Sequence, residues 1–369
     1  MSKLNISRLT NENEDGSPKI TGITTFSSTA FLEAPKGTTA QRPTNPLPGA
    51  IRFNTDGGHL EYFTGEFWDE VVVANNSLDG GNRGLFGGGF VSSNVNTIDY
   101  VTISSTGNAL DFGDISAANA NIAACSSSTR GIFGGGNGPS NVLDYITISS
   151  TGNATDFGDL TVARRELCAC SSSTRGIFGG GNSPLSNVLD YITVSSTGNA
   201  ADFGGLTLSR FNFSACSSST RGVFGGGVTP TANNTIDYVT ISSTGNATDF
   251  GDLTIARPNV AACSSSTRGV FGGGYITPAA QNTIDLIIIS TTGNATDFGD
   301  LTEIRFAPGS CSSSTRGVFG GGGGSAPTYT ATNTIDYITI LTIGNAVDFG
   351  DLTQGRRNAA SCSNGHGGL

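Results

Sequence analysis

Cationic and metal-binding side chains are scarce in this 369-residue chain. It has three lysines (Lys3, Lys19 and Lys36), two histidines (His59 and His366), one Met and one Trp. Charged residues make up 13% of the sequence and the formal net charge is −10. A nucleic-acid partner needs clustered Lys and Arg, so none is expected. Two histidines far apart in sequence offer neither a His-rich metal centre nor a Ser- or Cys-His triad. Neither a bound metal nor a cofactor is expected. No apolar run reaches membrane-spanning length, so membrane insertion is not expected either. The first residues are polar and lack the apolar stretch of a cleaved export signal.

Glycine is abundant, with 54 copies, and it recurs in register. Cys125, Cys170, Cys216, Cys263, Cys311 and Cys362 each open a Cys-Ser stretch, at spacings of 45, 46, 47, 48 and 51 residues. A Phe-Gly-Gly-Gly element follows, beginning at Phe133 in one copy. A third element carries Asp99, Asp144, Asp190, Asp237, Asp285 and Asp336, and a fourth carries Phe112, Phe157, Phe203, Phe250, Phe298 and Phe349. Each unit therefore offers four short strands, with alternating β-branched residues in the third. Thr-Gly-Asn before the fourth reads as a hairpin turn. Four strands in roughly 40–50 residues is the pattern of a propeller blade. The cysteines report the repeat and not a disulfide framework; Cys168 stands outside the series. Strands converging on an axis need small side chains, and Cys packs as one.

The repeats resemble kelch units. Phe133-Gly134-Gly135 gives the double glycine after an apolar strand, Tyr145 lies in the next strand, and Arg164, Arg210, Arg257 and Arg305 follow the fourth. The fourth-strand Trp usual in that family is replaced by Ala or Thr, with Phe next. The resemblance implies an all-β fold: a six-bladed kelch-like β-propeller over residues 75–369. Residues 362–365 repeat the first-strand motif, whereas residues 78–81 match it poorly. The C-terminal strand is therefore expected to complete the first blade and hide its edge.

Residues 1–74 carry no repeat. Ala50 to Asn54, His59 to Phe63 and Phe67-Trp68, separated by Asp-Gly and Thr-Gly turns, read as a small β-meander. Three such strands cannot bury enough apolar area alone and need a partner. Lys36 to Pro43, Pro48 to Asp56 and Tyr62-x-x-Gly65-x-x-Trp68 resemble a module of virion structural and tail-fibre-like proteins of tailed phages, those of cyanobacteria in particular. The resemblance implies a non-enzymatic virion protein: a tail fibre or other appendage that recognises the host surface, or a capsid decoration or adaptor protein. It implies residence in the extracellular particle. The partners it implies are other virion proteins through residues 1–74, a host glycan or receptor, and further copies of the chain, as in a trimer.

Several motifs mimic catalysis. Six Asp-Phe-Gly triplets lie on strands without the other kinase elements. The Gly runs precede neither Gly-Lys-Ser/Thr nor a helix. The paired Asp of Asp-Phe-Gly-Asp read first as turn acceptors and second as Ca²⁺ ligands. Glycan cleavage needs a unique carboxylate pair, and neither Glu166 nor Glu303 stands at a spacing that recommends one. No enzyme is expected.

The connections between second and third strands (137–141, 182–187, 228–234, 275–282 and 322–333) vary in length and content, as do those leading to the next first strand. Alternating strand direction puts all of this variation on one face. Loops on a rigid scaffold commonly carry recognition. Phe211, Phe213, Tyr275, Phe306 and Tyr329 are the expected ligand contacts there.

Overall fold

In every repeat the third strand departs from simple alternation, because Ile or Leu and the following Asp are both buried. In the strand Thr235–Thr240, Ile236 and Asp237 are both fully buried and Tyr238 only partly. The cause is a β-bulge. Register against the fourth strand slips between Ile236 and Asp237, and at the same place in the other five repeats. A bulge re-aims one side chain, here turning the carboxylate inward.

The structure is a computed structural model that describes residues 34–70 and 82–369. The polar opening segment and residues 78–81, on which expectations were placed above, lie outside them. The chain divides into two compact units, Met1–Asn75 and Asn76–Leu369. It is all-β, with one 3₁₀ turn, Thr39–Gln41, among the described residues.

The larger unit holds six four-stranded antiparallel sheets, a propeller-like class of architecture. Sheet 1 comprises Ala360–Ser363, Arg83–Gly87, Thr97–Thr102 and Leu110–Asp114. Sheet 2 comprises Ala123–Ser126, Arg130–Gly134, Ser140–Thr147 and Thr155–Arg164. Sheets 3 to 6 follow with first strands Cys168–Ser171, Ser214–Ser217, Ala261–Ser264 and Gly309–Ser312. In sheet 1 the first position belongs to Ala360–Ser363, the last of the described strands, with Ser361 opposite Phe86.

Four sets of polar or close contacts, with apolar clusters between them, run between neighbouring sheets. Serine hydroxyls on the first strands donate to the preceding first strand: Ser171 to the Ser126 carbonyl, Ser217 to Ser171, Ser264 to Ser217, Ser312 to Ser264 and Ser363 to Ser312. Ser126 then donates to Ser363 at 2.7 Å, so the series returns to its start. Next, each motif cysteine fills the notch of a glycine on the following sheet. A Cβ added to Gly176 would stand 2.6 Å from Cys125 Sγ, and Gly222, Gly269, Gly317, Gly84 and Gly131 face Cys170, Cys216, Cys263, Cys311 and Cys362 likewise. Apolar clusters fill the same junctions; one joins Ile177, Leu189 and Phe203 of sheet 3 to Phe224, Val239 and Ile241 of sheet 4.

The third set consists of buried ion pairs: Arg164–Asp190 (2.8 Å), Arg210–Asp237 (3.0 Å), Arg257–Asp285 (3.1 Å), Arg305–Asp336 (2.6 Å) and Arg356–Asp99 (3.1 Å). These side chains are fully buried. Burial pulls each guanidinium pKa below its ordinary value, and the carboxylate partly restores it. The fourth set corrects the turn reading. Thr-Gly-Asn lies inside a longer connection, and its glycine hooks the neighbouring sheet: Gly152 N–H donates to the Phe112 carbonyl at 2.8 Å. The Asp-Phe-Gly glycine leaves room for that hook, since a Cβ on Gly113 would meet Gly152 O at 2.5 Å.

The smaller unit is a four-stranded sheet of Lys36–Gly37, Ile51–Asn54, His59–Phe63 and Trp68–Glu70, the first pair parallel. Its polarity is inverted. Arg52, Asn54 and Glu61 are buried, whereas Ile51, Phe53, Tyr62 and Phe67 are exposed. Glu61 accepts from Arg42 at 2.6 Å and Asn54 at 3.1 Å, with Arg52 3.6 Å away. The Arg42 hydrogen bond foremost holds its carboxyl below the usual range.

Candidate functional site

The segments leading into the first strands share a backbone conformation. Asn121, Glu166, Asn212, Asn259, Ala307 and Asn358 all take positive φ, between 49° and 58°. Asn tolerates this region better than most residues, and each such non-glycine position costs about 1–3 kcal/mol. The conformation turns each N–H toward the preceding repeat's carbonyl. Glu166 donates to Asn121, Asn212 to Glu166, Asn259 to Asn212, Ala307 to Asn259, Asn358 to Ala307 and Asn121 to Asn358. These six residues border a cavity of about 120 Å³ whose wall combines their Asn and Glu side chains with apolar ones, Ile122, Leu167, Phe213 and Val260 among them.

An aromatic cluster is built on the neighbouring residues. Phe306 precedes Ala307, and Tyr275 donates its N–H to the carbonyl of Pro258, which precedes Asn259. Tyr275 and Phe306 meet edge to face at 5.6 Å and Phe306 and Tyr329 at 6.0 Å, while Tyr275 and Tyr329 lie tilted at 6.2 Å. The two phenol oxygens are 3.4 Å apart, a contact that raises the Tyr275 pKa. Arg357 donates to the Tyr329 carbonyl at 2.7 Å and lies over both Phe90 (5.0 Å) and Phe306 (5.7 Å). The result is an aromatic surface with a cation at its edge, beside a cavity that several Asn side chains border.

No family model and no curated protein matches this sequence. The site is therefore read from its own chemistry. Of the five residues expected as ligand contacts, Tyr275, Phe306 and Tyr329 converge. Phe211 pairs with Val228 away from them. Phe213 is 5% exposed and belongs to the core between sheets 3 and 4, under the Arg210 guanidinium, and it forms part of the cavity wall. Phe90 and Arg357 join the cluster without having been expected. Arg357 had a signal: it is the second residue of an Arg-Arg pair, as Arg165 is.

The other end of the serine series is occupied by the chain itself. His366 Nε2 lies 3.1 Å from the Ser126 carbonyl and 3.3 Å from Ser171 Oγ, and Gly367 donates to the Ser264 carbonyl at 3.0 Å. Burial lowers the imidazole pKa, with the Ser126 contact opposing. The seven cysteines are buried and free. Burial raises their pKa values, to about 12 for Cys216 and Cys362, so they are poor nucleophiles. Among the described residues no three His, Cys, Asp or Glu side chains converge as a metal site.

Proposed function

We propose that the larger unit is a six-bladed kelch-like β-propeller closed by its C-terminal strand, and that it is a non-enzymatic binding module of a phage virion. Its role is host recognition by a tail fibre or other appendage, through surface glycan. The observation that carries this reading is the Tyr275–Phe306–Tyr329 cluster with Arg357. Aromatic faces stack on the apolar faces of sugars, and the amides and Glu166 beside them supply hydrogen bonds to hydroxyls. The serine series that returns to Ser126 supports closure. The exposed Ile51, Phe53, Tyr62 and Phe67 support attachment of residues 1–74 to virion proteins or to further copies of the chain.

The test is binding of the full chain to an array of bacterial surface glycans, compared with a Tyr275→Ala/Tyr329→Ala variant whose circular dichroism matches the parent. Saturable binding lost in the variant supports the reading. Binding that survives the double substitution, or no binding to any glycan, overturns it. The apolar face of the small sheet also fits a decoration or adaptor protein. Antibody labelling over the capsid, and not at appendage tips, would favour that alternative.

A further inference from the structure

The junction between sheets 1 and 2 lacks its ion pair. The carboxylate is present, since Asp144 occupies the position of Asp190 and Asp237 and is 93% buried, at 7% exposure. The arginine is not: Asn119 stands where Arg164, Arg210, Arg257, Arg305 and Arg356 stand in the other repeats. Asn119 is too short to replace it. Its amide donates to the Gly135 carbonyl at 3.3 Å and does not contact Asp144. One Asp144 oxygen accepts from Ser116 N–H at 3.0 Å and from the Ser116 hydroxyl at 2.6 Å. The other has no hydrogen-bond partner.

A cavity of about 90 Å³ lies beside that carboxylate, lined by Ser116, Asn119, Phe133, Gly135, Val142 and Asp144 among others. It is several times the space a single water needs. Ser116 and Val142 are exposed, so its rim meets solvent. The cavity is also furnished for one kind of group. In the junction between sheets 3 and 4, Arg210 donates to Asp237 at 3.0 Å and to the carbonyls of Phe224 (3.1 Å), Gly226 (3.2 Å) and Thr235 (2.6 Å). The corresponding residues at the vacant junction are Asp144, Phe133, Gly135 and Val142, all in the cavity wall.

We propose that this cavity is a binding site for a guanidinium group supplied from outside the chain. One unpartnered carboxylate oxygen and a set of carbonyls suit a planar cation with several donors better than a compact ammonium. The group comes either from a small free guanidinium compound or from an arginine side chain of a partner protein.

The test uses the full chain, titrated with methylguanidinium chloride and separately with N-acetyl-arginine amide, against sodium chloride at matched ionic strength. Binding is read by calorimetry and by thermal unfolding. The expected result is a saturable rise in Tm with methylguanidinium that sodium chloride does not give. Asp144→Asn, nearly the same shape, should weaken binding about tenfold or more, the loss of one hydrogen bond to a charged group. Asn119→Arg should raise the Tm of the unliganded protein and abolish the response. Should that variant fail to fold, Asp144→Asn carries the test alone. Binding of N-acetyl-arginine amide as well assigns the site to a partner's side chain, and binding of methylguanidinium alone assigns it to a free ion. No saturable response in the parent, or an undiminished response in Asp144→Asn, overturns the proposal.

Discussion

Replacing Arg210 with Met tests how much one buried ion pair contributes to joining two sheets. The substitution keeps the unbranched stem and removes the guanidinium. It leaves Asp237 fully buried, holding only its bonds from Thr207 N–H at 3.3 Å and Thr207 Oγ1 at 2.6 Å. It also strips a donor from the Phe224, Gly226 and Thr235 carbonyls. Removing one partner of a buried pair costs about 3–5 kcal/mol, because the remaining charge is uncompensated. For a unit of this size that is a fall in Tm of roughly 6–10 °C. Arg210→Met combined with Asp237→Asn removes the stranded charge and should recover a large part of the loss. Denaturant melts of the two single variants and the double give the coupling. A single-variant cost below about 1 kcal/mol, the level of an exposed pair, would refute the reasoning. So would a double variant no more stable than Arg210→Met.

The pH dependence of stability should carry a signature of His366. Its folded pKa lies below the ordinary value of 6.5, so the unfolded chain binds the proton more readily. Stability contributed by the neutral imidazole is therefore complete above pH 6.5 and lost as pH falls from 6.5 toward the folded pKa, by at most about 1.4 kcal/mol per pH unit. His366→Gln should flatten melting curves taken between pH 7 and pH 5; an unchanged slope would count against the assignment. Gly176→Ala should cost about 1–3 kcal/mol by overpacking against Cys125 Sγ. Adding Cys125→Ala should restore most of that in urea melts, and no recovery would mean that the two sites are not in contact.

The strands were legible because each signal is local. Ile-Asp-Tyr-Val-Thr alternates, Phe-Gly-Gly-Gly recurs, and the repeat multiplies both. The ion pairs were not legible, because each joins two repeats: Arg356 meets Asp99 across most of the chain, and a bulge hides the inward turn of the carboxylate. Phe213 belongs with its own column and not with the neighbouring Phe211. In the other repeats that column holds Ile122, Leu167, Val260 and Pro308, all buried, and the half-buried Ala359. The same alignment puts Asn121, Asn212, Asn259 and Asn358 in one column, a cue to the left-handed conformation. The aromatic cluster depends on loops of different lengths meeting in space. Sequence supplied Tyr275, Phe306 and Tyr329 as aromatic candidates; the Arg-Arg pair marks Arg357 but not its role, which follows from its position between Phe90 and Phe306.

The pairing of Ala360–Ser363 with Arg83–Gly87 sets an order on folding. Sheets 2 to 6 are contiguous in sequence, and each can pair its strands as it leaves the ribosome. Sheet 1 can pair only three of its four strands, because Ala360–Ser363 comes far later and Arg83 must wait for Asn364, 281 residues on, to accept its backbone N–H. Until then Arg83–Gly87 presents an unpaired strand edge, and Ser126 has no carbonyl at residue 363 to receive its hydroxyl. An open edge of this kind is a template for pairing with another chain. The strand Ala360–Ser363 is thus the one that covers this edge and ends its exposure to neighbouring chains. Ribosome stalling or truncation before residue 360 should leave a sticky chain and not merely a shorter one.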